Sequence, residues 1–369
     1  MKRSVAVLAV LSLFASLLSG CVRGPEVIPS PRGPSPVAEE NSGLDVIDEA
    51  LAVALRDLVP DRGQWPPAEE VRPRPEGSRL LTRQVPLSSL AYFPHLAPVL
   101  TVKLKEAGYQ DIKVTRYPVP RGENWEVEVV VDDTLSYRVL LTAEVAGLVA
   151  IIIDDCGNSL RNRDLIFGID YPLTLAVLPR LRYTGTVDRL AAEHGFEVIL
   201  HCPMVGLNSG IDPGPGTLCC GMAVDELARE FAENIQELPH AVGVNNHMGS
   251  AFTTDPAAME ILMAELKSRG LFFIDSLTTS GTATGEAAAS AGVRYLSRDV
   301  FLDHEKSEDY ILGQLEVLKK KALRRGSAIA IGHDRPLTLE ILARELPSLA
   351  AANLRLVPVS DLIKKSGAN

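Results

Sequence analysis

The chain predicts an α/β protein: a parallel (β/α) barrel of seven or eight units, closed or slightly open, preceded by a small α+β domain. Three observations carry that expectation. Over 147–364, short apolar or β-branched runs alternate with amphipathic stretches of helical period. Those helical stretches carry start and stop signals at their ends. Polar side chains able to do chemistry recur directly after the apolar runs, where parallel barrels gather their loops.

The chain has 369 residues, enough for two to three domains, and 46% are hydrophobic against 23% charged. A full-sized core follows; whole-chain disorder, a disulfide-dense miniprotein and a collagen-like fibre are excluded. Asp plus Glu is 47 and Lys plus Arg 37, a formal net charge of -10. That sign opposes a phosphate backbone, and aromatics at 5% offer little for base stacking. No nucleic-acid partner is expected.

The N-terminus reads as an export signal. Lys2 and Arg3 precede an apolar run, 5–18, too short for the about 20 residues that span a bilayer. Leu18-Ser19-Gly20-Cys21 resembles a bacterial lipoprotein lipobox. That resemblance makes 1–20 a signal peptide and Cys21 an acylated N-terminus; a plain signal peptide with an incidental cysteine is the alternative. The expected location is therefore outside the cytosol, lipid-anchored to the outer face of the bacterial cytoplasmic membrane or in the periplasm. Residues 21–43, with Pro25, Pro29, Pro31, Pro34 and Pro36, read as an extended linker. Of the remaining cysteines, Cys156, Cys202, Cys219 and Cys220 show no C-x-x-C or zinc-ribbon spacing. Cys156 and Cys202 each come directly after a motif residue and are expected as small buried thiols rather than a bonded pair.

Residues 44–146 make the small domain. Ile47, Leu51, Ala54, Leu55 and Leu58 recur at helical steps, with a Pro-rich loop next at 60–77. A second helical stretch ends near Gly108, its start obscured by Pro94 and Pro98. Strands are expected at 111–117, 125–131 and 137–142, with Asp132-Asp133 as a turn. No cluster of His, Cys and carboxylates stands out, so an accessory or spacer role is expected.

The larger unit, 147–364, has its runs at 148–153, 173–178, 196–200, 241–244, 271–274, 293–296, 328–331 and 354–357. Asp255 caps a helix over 255–269 that opens on Pro256, buries Met259, Leu262, Met263 and Leu266, and stops at Gly270. A second, 307–325, starts with Ser307, Glu308 and Asp309 and ends with Lys319, Lys320, Lys321, Arg324 and Arg325 before Gly326. That basic cluster reads as compensation of the helix dipole.

Directly after the runs come Asp154-Asp155, His201, Asn245-Asn246-His247, Asp275-Ser276, Arg298-Asp299 and His333-Asp334. Three of the seven histidines hold such positions; His95, His194, His240 and His304 read as structural or surface residues. Two or three His/Asp ligands with open positions suit a divalent ion such as zinc. Neighbours on a regular strand face opposite sides, so Asp154 and Asp155 share a pocket only if the strand ends there, and Gly157 supports an end. A further histidine off the metal can protonate a leaving group. Gly210-Ile211-Asp212-Pro213-Gly214-Pro215-Gly216-Thr217 lacks the Gly-Lys-Ser/Thr ending of a phosphate loop and reads as a lid or a rigid loop.

The strings Ile151-Ile152-Ile153-Asp154-Asp155-Cys156-Gly157, His201-Cys202-Pro203-Met204 and Gly243-Val244-Asn245-Asn246-His247-Met248-Gly249-Ser250 resemble the divergent polysaccharide deacetylase family. Arg298-Asp299-Val300-Phe301-Leu302-Asp303 and Ala330-Ile331-Gly332-His333 continue the match. The resemblance implies a distorted (β/α) barrel and metal-dependent hydrolysis of N- or O-acetyl groups on a polysaccharide or peptidoglycan-type glycan. It makes Asp154 the base, Asp155 and His201 metal ligands and His333 the general acid. The usual second ligand histidine, four residues after the first, is here Val205; His247 is assigned in its place. Asp275 and Arg298 are assigned to orienting the acid or the base, and Asn245, Asn246 and Ser250 to substrate. A non-catalytic glycan-binding or scaffold lipoprotein is the competing expectation, and a metal-dependent phosphoesterase a third.

Overall fold

The computed structural model describes residues 69–71, 79–86, 93–119, 122–130, 135–208 and 210–366. The signal-like head, Cys21, the linker, the helix expected at 47–58 and the Asp132-Asp133 turn lie outside them. Among the described residues no helix is long and apolar enough to cross a membrane.

A first sheet holds β1 (Glu69–Val71), β2 (Arg79–Pro86), β3 (Ile112–Val119), β4 (Gly122–Val130) and β5 (Leu135–Glu144), in the order β1-β2-β5-β4-β3. Helix α1 (Phe93–Glu106) joins β2 to β3 and keeps Pro98 inside it. The three strands expected here are β3 to β5. The helical stretch whose start Pro94 and Pro98 obscured begins at Phe93; residues 79–86 before it are strand β2, and β1 falls within the expected loop. Register explains the difference. Leu81 and Val85 pair in parallel with Tyr137 and Leu141 and are buried with them, and so short an apolar run takes its period from its neighbours.

The second sheet is parallel throughout. Its strands are β6 (Gly147–Cys156), β7 (Thr174–Val177), β8 (Glu197–Met204), β9 (Ala241–Met248), β10 (Phe272–Asp275), β11 (Tyr295–Ser297), β12 (Val300–Phe301), β13 (Ser327–His333) and β14 (Leu354–Leu356). The order is β11-β10-β9-β8-β7-β6-β13-β12, with β14 added to the start of β6. No ladder joins β11 to β12 among the described residues, so the barrel is open there. All eight expected runs are strands. The addition is β12, whose two residues are too few to show a period. Strands β8 and β9 run on to Met204 and Met248, so His201 and 245–247 lie within the ladder rather than after it.

Helices α2 (Arg163–Phe167), α3 (Thr184–Glu193), α4 (Val224–Gln236), α5 (Pro256–Arg269), α6 (Thr284–Ala291), α7 (Glu308–Arg325), α8 (Pro336–Ala351) and α9 (Val359–Ser366) complete the fold. The punctuation acts as expected. Asp255 accepts from Ala257 N at 3.0 Å and Ala258 N at 3.2 Å, and Gly270 closes α5 at φ 71°. Near the end of α7, Lys321 and Arg325 bind the carbonyl and carboxylate of Asp299, a contact beyond dipole compensation.

Strand alternation divides the core. Val149, Ile151 and Ile153 pack outward under the helices with Met259, Leu262 and Leu315. Leu148, Ala150 and Ile152 pack inward with Ile199, Ile274, Ile329 and Ile331. Val359, Leu362 and Ile363 of α9 join that inner cluster. Its first turn bonds to Thr174 and Glu197 at the starts of β7 and β8, so α9 stops the barrel at the amino-terminal ends of its strands. Ile363→Ala is expected to cost about 2–5 kcal/mol, read by urea unfolding, through lost burial and the cavity left in the plug.

Candidate functional site

The inward series that forms the apolar bore continues into polar residues at the carboxyl ends. Leu148, Ala150 and Ile152 lead to Asp154, Ile199 to His201, Ile274 to Ser276 and Ile331 to His333. Register brings them level: His333 pairs with Asp154, and His201 with Asn245. They border a cavity of about 440 Å³ whose walls include Asp154, His201, His247, Arg298, Phe301 and His333.

Alternation alone would turn Asp155 outward. Strand β6 does not end before it, as expected, but continues to Cys156 through a bulge: register along β7 shifts between Ile153 and Cys156, and Asp155 has φ 63°. The irregularity swings its carboxylate into the same pocket as that of Asp154. Met248 and Leu277, both on the cavity wall, also have positive φ, 56° and 48°. Local backbone strain of this kind gathers at functional sites.

Asp155 Oδ1 lies 3.3 Å from His201 Nε2 and 3.2 Å from His247 Nδ1, and the two nitrogens are 3.0 Å apart. Metal–ligand bonds of about 2.0–2.1 Å set neighbouring donors about 2.9–3.4 Å apart on an octahedron or tetrahedron. Asp155 Oδ1 is buried without a hydrogen bond of good geometry, an orphan that a cation would satisfy. The donor set thus fits a divalent cation held by Asp155, His201 and His247. Burial alone would raise the Asp155 carboxyl, but the two imidazoles hold it well below the usual carboxylate range. Burial would likewise lower His201, yet Asp154 and Asp155 bring it to about 9.

Asp154, almost fully buried, accepts from Asn245 Nδ2 at 2.8 Å, and its second oxygen lies 3.7 Å from His201 Nε2. Burial pushes this carboxyl up despite the nearby imidazoles of His201 and His333. His333 Nδ1 donates to Asp303 Oδ1 at 2.7 Å, so its Nε2 faces the site, 4.0 Å from Asp155 Oδ2. Asp303 Oδ2 accepts from the His333 backbone N–H at 3.0 Å and from Thr338 Oγ1 at 2.8 Å.

Asp303 is the residue that sequence reasoning passed over. It stands just past β12, a run too short to mark the position after it as a strand end. The orienting role assigned to Asp275 and Arg298 belongs to Asp303 as far as His333 is concerned. Asp275 instead accepts from Leu277 N at 2.8 Å and Thr282 Oγ1 at 2.9 Å, shaping the loop after β10. Arg298 lines the cavity over the Phe301 ring and donates to the carbonyls of Ser276 and Leu277.

The three side chains assigned to substrate separate. Asn245 is fully buried between His201 and Asp154. Asn246 borders the cavity while bracing Met248 O and Ser276 N. Ser250 Oγ accepts from Leu207 N and does not line the cavity. Conversely His304, expected as a structural or surface residue, is exposed at the cavity wall. Cys156 and Cys202 are buried free thiols. The loop at 210–217 is braced by its own turn bonds, Gly214 N to Asp212 Oδ1 and Thr217 Oγ1 to Gly214 O.

Comparison with known proteins agrees with this barrel and its motifs. Residues 151–363 match the family model for divergent polysaccharide deacetylases. The chain belongs to that family. The uncharacterized protein YibQ of Escherichia coli K12 is 34% identical over 237 residues, 63% of this chain and 73% of YibQ. An uncharacterized protein of Haemophilus influenzae Rd is 35% identical over 215 residues, 58% of this chain and 75% of its own length. Among solved structures, an uncharacterized Agrobacterium tumefaciens C58 protein superposes with a TM-score of 0.57 at 25% identity, covering 59% of this chain and 89% of that one. In this member of the family, Val205 stands four residues after His201, and the neighbouring strand brings His247 to His201 instead.

Protonation links the site to two measurable quantities. Since His201 holds its proton up to about pH 9, a cation must displace it. Calorimetry of Zn2+ binding in buffers of different ionisation enthalpy should show about one proton released at pH 7, with apparent affinity rising about tenfold per pH unit toward that value; binding without proton release contradicts the assignment. Burial alone would raise Asp303, but the bonds from His333 and Thr338 outweigh it and keep the carboxyl below its ordinary value. Its stabilisation is therefore complete above the unfolded-state value of about 3.9 and lost as pH falls through the folded-state one. Asp303→Asn should unfold at lower urea than wild type at pH 7, and the gap should close in acid.

Proposed function

We propose that the chain is a metal-dependent carbohydrate deacetylase that hydrolyses N- or O-acetyl groups on cell-envelope polysaccharide. One observation carries the reading: a buried carboxylate and a carboxylate-clamped imidazole stand level on paired strands, facing a three-donor cation site. When bound to Asp155, His201 and His247, a divalent ion, Zn2+ by the donor chemistry, supplies polarisation of the acetyl carbonyl and acidifies water.

The chain's own groups move the protons. Asp154, with its carboxyl pushed up by burial, is the stronger base of the adjacent pair and takes a proton from the attacking water. Asp303 holds the His333 ring through Nδ1, so that Nε2 faces the site and can donate to the departing nitrogen or oxygen. Addition of water to the carbonyl carbon and rupture of its bond to the sugar substituent leave acetate and a free amine or hydroxyl. The Arg298–Phe301–His304 wall offers a surface for the sugar.

The signal-like head, Cys21 and the Pro-rich linker support export and an N-terminal lipid anchor, with 44–146 as an accessory domain between anchor and barrel. In that setting the substrate is a peptidoglycan-type glycan.

Acetate release from N-acetylglucosamine oligomers and from peptidoglycan, with stoichiometric Zn2+, tests the activity. Asp154→Asn and His333→Ala should each lower turnover by about 10²–10⁴-fold. Wild-type rates in either variant overturn the assignment, and glycan affinity without acetate release supports a non-catalytic binder instead.

A further inference from the structure

We propose that Asn245 is a positioning residue that makes the cation site depend on Asp154, a side chain outside the three-donor set. The inference rests on the cation reading above and concerns how His201 is prepared for it.

Asn245 is completely buried, in register with His201 on the neighbouring strand. Its Oδ1 is 2.8 Å from His201 Nδ1. Its Nδ2 donates to Asp154 Oδ1 at 2.8 Å and lies 3.4 Å from Ser276 Oγ. The two ends of a carboxamide are nearly equal in shape and opposite in hydrogen-bonding sense, so something outside the residue must decide which way it faces. Ser276 cannot, because a hydroxyl gives or accepts. Asp154 can: a carboxylate only accepts, so it claims Nδ2.

The consequence passes to the next group. With Nδ2 on Asp154, Oδ1 faces His201 and can only accept, so His201 Nδ1 carries hydrogen. The lone pair of the neutral ring then lies on Nε2, which points at Asp155 Oδ1 and His247 Nδ1. Metal-bound histidines are commonly held in this way through their second nitrogen. Reverse the amide, and its N–H would favour the opposite tautomer, with a hydrogen where the cation belongs. Asp154, Asn245 and His201 therefore form one directional chain ending at the cation, and the base of the proposed reaction doubles as a remote determinant of metal affinity.

The test is a ladder of Zn2+ affinities at one pH, measured by competition with a chromophoric chelator, with circular dichroism and Tm as checks on folding. Asn245→Leu should weaken binding about 10–100-fold. Asp154→Leu should weaken it comparably. Asp154→Asn, whose carboxamide gives as well as accepts and so no longer fixes the direction, should weaken it as well. The double Leu variant should bind no worse than either single one, because both break the same chain. Asn245→Asp combined with Asp154→Asn, which exchanges the two groups and so keeps an acceptor on His201 and a donor between the pair, should hold affinity and decides the matter if a Leu variant fails to fold. Wild-type affinity in Asp154→Asn and Asp154→Leu would show that Asn245 needs no acceptor-only partner to face His201, and additive Leu effects would show two separate roles; either overturns the proposal. A wild type that binds no Zn2+ removes the cation reading and this inference together. Zn2+ binding without acetate release removes only the catalytic reading, and the ladder still decides this one.

Discussion

A pleated strand turns successive side chains to opposite faces, yet here two successive carboxylates, Asp154 and Asp155, reach the same face beside His201. The bulge at Asp155 resolves the conflict. Its left-handed backbone, φ 63°, is costly for a residue with a side chain, of the order of 1–3 kcal/mol where such strain is stored. The conformation is held from both sides: β6 pairs along its length with β13 and again with β7, and the carboxylate is seated against His201 and His247. Without the bulge Asp154 would still face the bore, but the three-donor cluster would lack its oxygen.

The same bulge sets the electrostatics. Asp154 and Asp155 are adjacent in sequence, yet their carboxyls move in opposite directions. Burial dominates for Asp154, whereas two imidazoles within 3.3 Å dominate for Asp155. Environments that push neighbouring acids apart let one pocket hold both a carboxyl that takes up protons readily and one that stays ionised. The second His–Asp pair obeys similar logic, since Asp303 is held by a backbone N–H, a hydroxyl and the His333 ring at once.

The barrel supplies the rigidity these contacts need. Apolar side chains fill its bore below the site and α9 stops the far end, so the polar layer at the carboxyl ends rests on a packed floor. The opening between β11 and β12 lies beside Arg298 and Phe301, at the cavity wall. That His247 stands beside His201 is also a product of sheet order, because β8 and β9 are neighbours whose register aligns Pro203 with His247.

What the sequence determined alone is local. The apolar runs, the Asp255 and Gly270 helix signals and the succession of Asp, His and Asn at strand ends all depend on residues a few positions apart, within reach of backbone period and cap chemistry. The motif strings identified the family for the same reason. Tertiary structure decided the rest. The bulge at Asp155 arises from pairing with β7, and strand β2 takes its conformation from burial against β5. Asn245 reaches Asp154 across 91 residues, and Asp303 reaches His333 across 30. A carboxamide or carboxylate has the same composition whether it touches substrate, a ligand or its own loop. Its role is set by which hydrogen-bonding group folding places within about 3 Å of it.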